Sequence, residues 1–275
     1  MDVSPIVVEN QLHVLTCRTG QPAYDFDFEL YFACNHPVAL STPQPAVARV
    51  GALAEYGKTY SEYAARSLQL INHPEQHDRA SLISHWYPVL EDLTPRTTVW
   101  DDLPSADEVT KLFEWPVFVK GERQTSRHQA ALSIIRSPGD FDRCMQDYAA
   151  DPILNWQKLA VREFVPLRPI KGTAGNRVPP SFEFRSFWWH GINVGIGRYW
   201  SDAPTYEASD AELRDALEIA GEAARRVNVP FLVVDVAMDA EGRWLVIECN
   251  DGQESGYAGV EPLKLWRKIL KLLER

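Results

Sequence analysis

Asp235, Glu248 and Asn250 are the residues whose types and spacing say most about chemistry in this chain. They lie in the run Asp235-Val236-Ala237-Met238-Asp239-Ala240-Glu241-Gly242-Arg243-Trp244-Leu245-Val246-Ile247-Glu248-Cys249-Asn250. A two-residue hairpin turn at Glu241-Gly242 sets Ala240 against Arg243, and counting back along both strands sets Asp235 against Glu248. Glu248 and Asn250 then share a face, because side chains alternate along a strand. Two facing carboxylates repel unless something cationic lies between them. Oxygen ligands without His or Cys suit magnesium or manganese rather than zinc, and magnesium leaves several of its positions to water and phosphate oxygens. The alternative is a solvated strand face, against which Val233, Val234, Val236, Val246 and Ile247 argue by marking a buried sheet.

Other residues gain meaning beside this cluster. Lys120 ends the apolar run Val117-Phe118-Val119, where a buried, unpaired ammonium would be costly and a phosphate partner would relieve it. Glu163, Phe164 and Val165 end another apolar run and can offer backbone groups and apolar walls to a ring. Arg162, just before them, has Glu163 or Glu183 as a candidate ion-pair partner. Glu183 and Arg185 share one strand face, where Arg185 can present a planar fork to a phosphate, although a mutual ion pair would also account for them.

The ordered set resembles the ATP-grasp family, which includes the D-alanine–D-alanine ligases. Asp235, Glu248 and Asn250 resemble its metal-binding signature, and Trp115 to Lys120 resembles the strand whose lysine touches the nucleotide phosphates. Val161-Arg162-Glu163-Phe164-Val165 resembles the hinge that meets adenine, and Phe182-Glu183-Phe184-Arg185 the following strand, where an acidic residue binds ribose. The resemblance covers Trp115 to the C-terminus and is similar in particular to a divergent branch with an EFR-type strand. That branch includes a eukaryotic assembly chaperone for a translation-initiation factor.

The resemblance implies an α+β ATP-grasp fold that holds ATP and Mg2+ (or Mn2+) between two α+β lobes, beside a smaller N-terminal lobe. It implies a ligase that joins a small-molecule or peptide carboxylate to an amine through an acyl phosphate. The alternative is an ATP-binding assembly factor with a protein partner and no ligation. This sequence departs from the family pattern twice: Gly121 stands alone where a glycine-rich run is usual, and Val233 replaces an arginine near the transferring phosphate. Arg198, on the next strand, is a candidate for the missing cation, with Arg185 beside it as a second catalytic candidate.

These residues need a scaffold, and the pattern supplies one. Residues 1–110 read as an N-terminal lobe, irregular and mixed, with helices over Pro45–Leu70 and Pro74–Leu93, the second disturbed near Pro88. Residues 111–275 read as the nucleotide-binding region, in subdomains of about 111–165 and 166–275. Within it, strands are expected over 117–120, 131–135, 159–165, 182–189, 192–199, 231–238 and 243–249. Ser137-Pro138 and the capping box at Ser209 open helices, and an amphipathic helix over Pro262–Leu273 ends the chain. The loop Gly121–Gln129, with Arg123, Arg127 and His128, is either a lid over the phosphates or a solvated loop. His73 and His77 read as a helix-start feature rather than a metal site, and Arg79 as a candidate nucleotide contact.

Composition narrows the classes. A formal charge of −10 argues against broad contact with nucleic acid, which requires many cationic phosphate partners. No run reaches the roughly eighteen apolar residues of a membrane helix. The four cysteines show no CxxC spacing, and no secretory pattern opens the chain, so a reduced, cytoplasmic protein is expected. Neither a GxSxG motif nor a Cys–His pair marks a protein nucleophile.

Overall fold

The computed structural model describes residues 4–17, 19–20, 23–37, 40–53, 55–125, 128–172, 175–201 and 203–274. The chain opens with β1 (Ser4–Val8) and β2 (Leu12–Thr16), an antiparallel pair whose turn holds Glu9 and Asn10 at positive φ. Next come α1 (Phe28–Tyr31), β3 (Cys34–Asn35), β4 (Gln44–Arg49), α2 (Tyr56–Ala64) and β5 (Leu68–Leu70). The strands form one sheet in the order β3-β1-β2-β4-β5, so this part is not irregular.

The helix expected over Pro45–Leu70 is likewise corrected to strand, helix and strand. β4 runs parallel to both β2 and β5, and Ala46, Val47 and Ala48 are buried in succession along it. Continuous burial of this kind marks a central parallel strand, and small alanines satisfy it as readily as they satisfy a helix.

Helices α3 (Pro74–Ser81) and α4 (Ile83–Leu90) divide the next expected helix at Leu82, which is extended, while Pro88 lies within α4. The break is supported from elsewhere in the chain. Glu122 accepts the Ile83 N–H on its carbonyl and the Ser84 N–H on its carboxylate, each at 3.4 Å.

A second sheet follows, built from β6 (Thr97–Trp100), β7 (Val117–Gly121), β8 (Ile134–Ile135) and β9 (Leu159–Glu163) in the order β6-β9-β7-β8. Of the strand expected over 131–135 only Ile134 and Ile135 pair, because Ala130–Leu132 forms a 3₁₀ turn. Helices α5 (Ala106–Thr110) and α6 (Pro138–Ala150) cover one face, packing Val109, Phe141 and Tyr148 on Val117, Val119 and Val161. Ser137 caps α6 as expected, accepting the Asp140 N–H, with Pro138 in the first turn. Strand β6 lies within the segment assigned by sequence to the N-terminal lobe, yet it pairs with β9.

The third sheet holds β10 (Glu183–Trp189), β11 (Ile192–Arg198), β12 (Phe231–Met238) and β13 (Trp244–Asp251), in the order β11-β10-β12-β13. His190 and Gly191, both at positive φ, make the hairpin turn the sequence suggests. Helix α7 (Asp210–Val227), with its capping box, and α8 (Pro262–Leu273) complete the chain.

One face of the third sheet buries Phe182, Phe184, Trp188 and Val234 against α7 and Trp86 of α4. Along the other face, Phe187, Trp189, Phe231 and Val233 pack on Trp266 and Ile269 of α8 and on Ile6, Val8 and Val14 of the first sheet. The same face continues along β10 and β12 into Arg185, Glu183 and Asp235, which look toward the second sheet. Its lower half is therefore core and its upper half is the wall of a site. Among the described residues no helix is long and apolar enough to cross a membrane.

Gly197 shows how tightly α8's approach is fitted. A Cβ there would run into the backbone of Gly259 and Val260, whereas Gly139 in α6 faces open space. Gly197→Ala is expected to destabilise the fold by about 1–3 kcal/mol through overpacking. Gly139→Ala is expected to stabilise it by about 0.4–1 kcal/mol by restricting the unfolded chain. Urea denaturation of the two variants checks both signs.

Candidate functional site

Strands β12 and β13 bring Asp235 face to face with Glu248. The turn between them is one residue longer than the sequence reading supposes. Asp239 N–H donates to the Arg243 carbonyl at 2.8 Å, Gly242 takes a φ of 87°, and Met238 rather than Ala240 begins the ladder, opposite Trp244. That change alone would slip the register. A bulge between Asp235 and Val236 passes over Ile247 and restores it.

The carbonyl of Ile247 takes a hydrogen bond from Arg162 Nη1 at 2.7 Å. Arg162 also donates from Nη2 to the Thr94 hydroxyl at 2.6 Å and from Nε to the Thr97 hydroxyl at 3.1 Å. Its partners are therefore neither Glu163 nor Glu183, and it joins the second sheet to the bulge. Burial lowers its pKa to about 10, which leaves it charged at neutral pH.

Two cation–carboxylate pairs occupy the facing position. Arg185 lies in register with Asp235 and grips both its oxygens, at 2.8 Å from Nε and 2.6 Å from Nη2. Lys120, 5% exposed, crosses from β7 to Glu248, which also bonds to Asn250. Burial raises the Asp235 carboxyl, and Arg185 only partly offsets it. For Glu248 burial also opposes ionisation, but Lys120, Arg185 and Asn250 outweigh it and hold the carboxyl below its ordinary value. Among the described residues no three His, Cys, Asp or Glu side chains cluster as a metal cage. Two carboxylates and an amide are the sparse oxygen set that magnesium accepts when phosphate and water complete its shell, so these residues fit that ion.

The quartet opens on a cavity of about 730 Å³ between the second and third sheets. At one end lie Phe118, Ile134, Phe164, Val165, Leu167 and Pro180. This segment is fixed on both sides: Glu163 N–H donates to Arg96 O and Arg168 N–H to Met238 O, both at 2.8 Å. The Glu163 side chain is exposed, while Phe164 and Val165 are half-buried. Glu183 lines the wall and is 5% exposed, accepting Trp200 Nε1–H at 3.0 Å and Ser181 Oγ–H at 3.2 Å. Burial, with Asp235 nearby, pushes its carboxyl up to about 8.

Lys120, Glu163, Phe164, Val165, Glu183, Arg185, Glu248 and Asn250 all line this cavity, and Asp235 lies behind the Arg185 fork. Arg198 does not join them. It pairs with Phe184, so it falls on the opposite sheet face from Arg185, with its guanidinium over Tyr206 at 5.9 Å. The expectation that Arg198 replaces the cation absent at Val233 is corrected by this parity. Val233 itself belongs to the core. Arg185, one strand over, occupies the phosphate-facing position.

The lone glycine is explained by Gln157, whose side-chain oxygen accepts the Arg123 and Gln124 N–H groups at 2.9 and 3.1 Å. A Cβ on Gly121 would collide with that amide, so one glycine and a glutamine clamp hold the turn after Lys120. Arg123 donates to Glu254 at 2.8 Å, and His77, stacked on Tyr56 at 3.9 Å, meets the same carboxylate at 3.1 Å. Leu53 N–H adds a third bond, at 2.9 Å.

His128, at a φ of 57°, reaches Tyr199 Oη at 3.3 Å, and burial keeps its imidazole neutral. Ser126 and Arg127 lie outside the described residues. Arg79 is exposed and His73 caps α3. The contributions of Glu254, His77, Leu53, Gln157 and Tyr199 have no motif to announce them, since they meet only through the fold.

The sequence pattern of an ATP-grasp domain, family 3 of its clade, matches residues 75–269. The D-alanine–D-alanine ligase of Coxiella burnetii is similar in fold, at a TM-score of 0.60 and 14% identity over 83% of this chain and 67% of that one. The D-alanine–D-alanine ligase of Bacillus anthracis complexed with ATP gives 0.57 and 14% over 84% and 78%. A RimK-domain ATP-grasp protein of Sphaerobacter thermophilus DSM 20745 gives 0.54 and 14% over 76% and 73%. No curated protein matches by sequence.

Glu183 yields a pH-dependent test of the site. Its carboxyl, about 8 when folded against an ordinary 4.5, favours the folded state while protonated. That contribution is complete below 4.5 and is lost as pH rises toward 8. Thermal melts from pH 5 to 9 should show Glu183→Gln gaining several degrees on the wild type as pH rises. A difference that stays flat with pH would contradict the buried, protonated state.

Proposed function

Because the chain belongs to the ATP-grasp domain family, we propose that it is an ATP-dependent ligase joining a carboxylate to an amine through an acyl phosphate. The observation that carries this reading is the meeting of Lys120, Arg185, Glu248 and Asn250 at the charged end of a cavity whose other end is apolar. A nucleotide needs that polarity: a dry slot for the base and concentrated cations for the phosphates.

In this reading Phe118, Ile134, Phe164 and Val165 enclose adenine, and the backbone of Glu163 to Val165 meets its edge. Glu183 lies beside the ribose, where its raised pKa makes it a hydrogen-bond donor below about pH 8. Lys120 and Arg185 address the phosphates. Asp235, Glu248 and Asn250 would hold Mg2+, or Mn2+, which supplies charge neutralisation at the phosphate oxygens.

A carboxylate oxygen of the acid attacks the γ-phosphorus, the bond to the β–γ bridging oxygen breaks, and ADP leaves. The amine nitrogen then attacks the acyl carbon, the bond to phosphate oxygen breaks, and the nitrogen gives up a proton. Neither step needs a protein nucleophile, only positioning and charge stabilisation. The turn fixed by Gln157, with Arg123 tied to Glu254, keeps a wall beside the reacting end, where it excludes water. The acid and amine, whether small molecules or peptide ends, would enter past Arg123, His128 and Tyr199.

The test supplies ATP, magnesium and pools of amino acids and short peptides, and follows ADP and new amide together by mass spectrometry. A ligase releases ADP in step with amide. An assembly factor takes up magnesium nucleotide without amine-dependent ADP, and that outcome would replace the ligase reading. Asp235→Asn and Glu248→Gln are expected to abolish ATP turnover while keeping the far-ultraviolet circular dichroism of the wild type. Unchanged turnover in both would remove the metal assignment.

A further inference from the structure

We propose that the Lys120–Glu248 and Arg185–Asp235 pairs select the metal–nucleotide complex over nucleotide or metal alone, an inference that rests on the ATP and metal reading above. Each pair joins a phosphate partner to a metal ligand. All four side chains are largely withdrawn from water, with side-chain exposures of 5 and 18% in the first pair and 11 and 1% in the second. The site is thus neutralised by its own groups before anything enters.

A triphosphate arriving alone meets cations already engaged. To bind Lys120 it must draw the ammonium from Glu248 and leave a buried carboxylate facing phosphate oxygens, a costly arrangement. A divalent ion arriving alone has the converse problem: taking Glu248 and Asp235 strands Lys120 and Arg185 without anions. When both arrive together the partners exchange. Carboxylates turn to the metal and cations to phosphate, and no charge is left alone in a medium of low dielectric.

The in-register placement of Arg185 on Asp235 and the bond of Asn250 to Glu248 keep all four groups on one patch, so neither pair can exchange independently of the other. His128 and Arg177 are the further titratable neighbours that act on this patch electrostatically. With its imidazole neutral, His128 does not disturb the balance.

Isothermal titration of the non-hydrolysable analogue AMPPNP tests this, in EDTA and in magnesium, on wild type, Lys120→Met, Glu248→Gln and the double variant. Wild type in EDTA should bind on the order of tenfold or more weakly than in magnesium. Glu248→Gln, which releases Lys120, should bind metal-free AMPPNP about tenfold more tightly than wild type. Lys120→Met should cost little without metal in the wild-type background and about tenfold in the Glu248→Gln background.

That non-additivity separates an engaged pair from simple repulsion, which Glu248→Gln would relieve with or without Lys120. An additive cycle overturns the selection mechanism and leaves the nucleotide reading standing. No uptake of magnesium AMPPNP by wild type overturns both. If Glu248→Gln does not fold, the same cycle on Asp235→Asn and Arg185→Gln decides the question.

Discussion

The bond from Arg162 to the Ile247 carbonyl is the contact on which the site depends. A bulge leaves its skipped residue without a ladder partner, and an unsatisfied buried carbonyl is costly. Arg162 removes that cost from a different sheet, while its other nitrogens fasten the hydroxyls of Thr94 and Thr97. Thr94 in turn donates to the Val246 carbonyl at 2.7 Å. One guanidinium therefore fixes three things at once: the register of β13, the distance between two sheets, and the opposition of Glu248 to Asp235. Without the bulge, Glu248 and its carboxylate would point into the hydrophobic layer below α7.

Electrostatics follows from this mechanical arrangement. Carboxylates that face each other inside a protein need cations close by, and here both come from neighbouring strands rather than from the strands that carry the acids. Lys120 belongs to the second sheet and Arg185 to the third, so the ion pairs also bind the two layers across the cavity. Function and cohesion draw on the same contacts. Buried pairs of this kind contribute little net stability by themselves, because desolvation offsets most of their attraction. Their value lies in position.

The site is legible where chemistry is local in sequence. Alternation and the two acids specify the β12–β13 patch, and the caps at Ser137 and Ser209 specify α6 and α7. The facing of Asp235 and Glu248 follows from the sequence through a turn one residue too short, because the bulge cancels the error. Arg198 shows the opposite outcome. Its type suits the chemistry, but its register with Phe184 places it behind the sheet, and register across a hairpin with its own irregularity at Phe187 cannot be counted from sequence. The N-terminal sheet escapes a sequence reading because β4 is buried along its length and rich in alanine, a composition that strands and helices share. His77 and Glu254, separated by 177 positions, have no local pattern linking them.

The change of character along the third sheet carries a further implication. In β10, Phe187 is packed against Phe231 and Tyr257, and the next side chain on that face is Arg185; in β12, Val233 leads likewise to Asp235. Apolar packing at one end of each strand thus sets the ångström-scale placement of charges at the other, as the grip of a tool fixes its tip. Substitutions in the hydrophobic layer over α8, remote from any ligand, will be felt as changes in affinity before they are felt as unfolding. Sequence drift in that layer is constrained by chemistry it never touches.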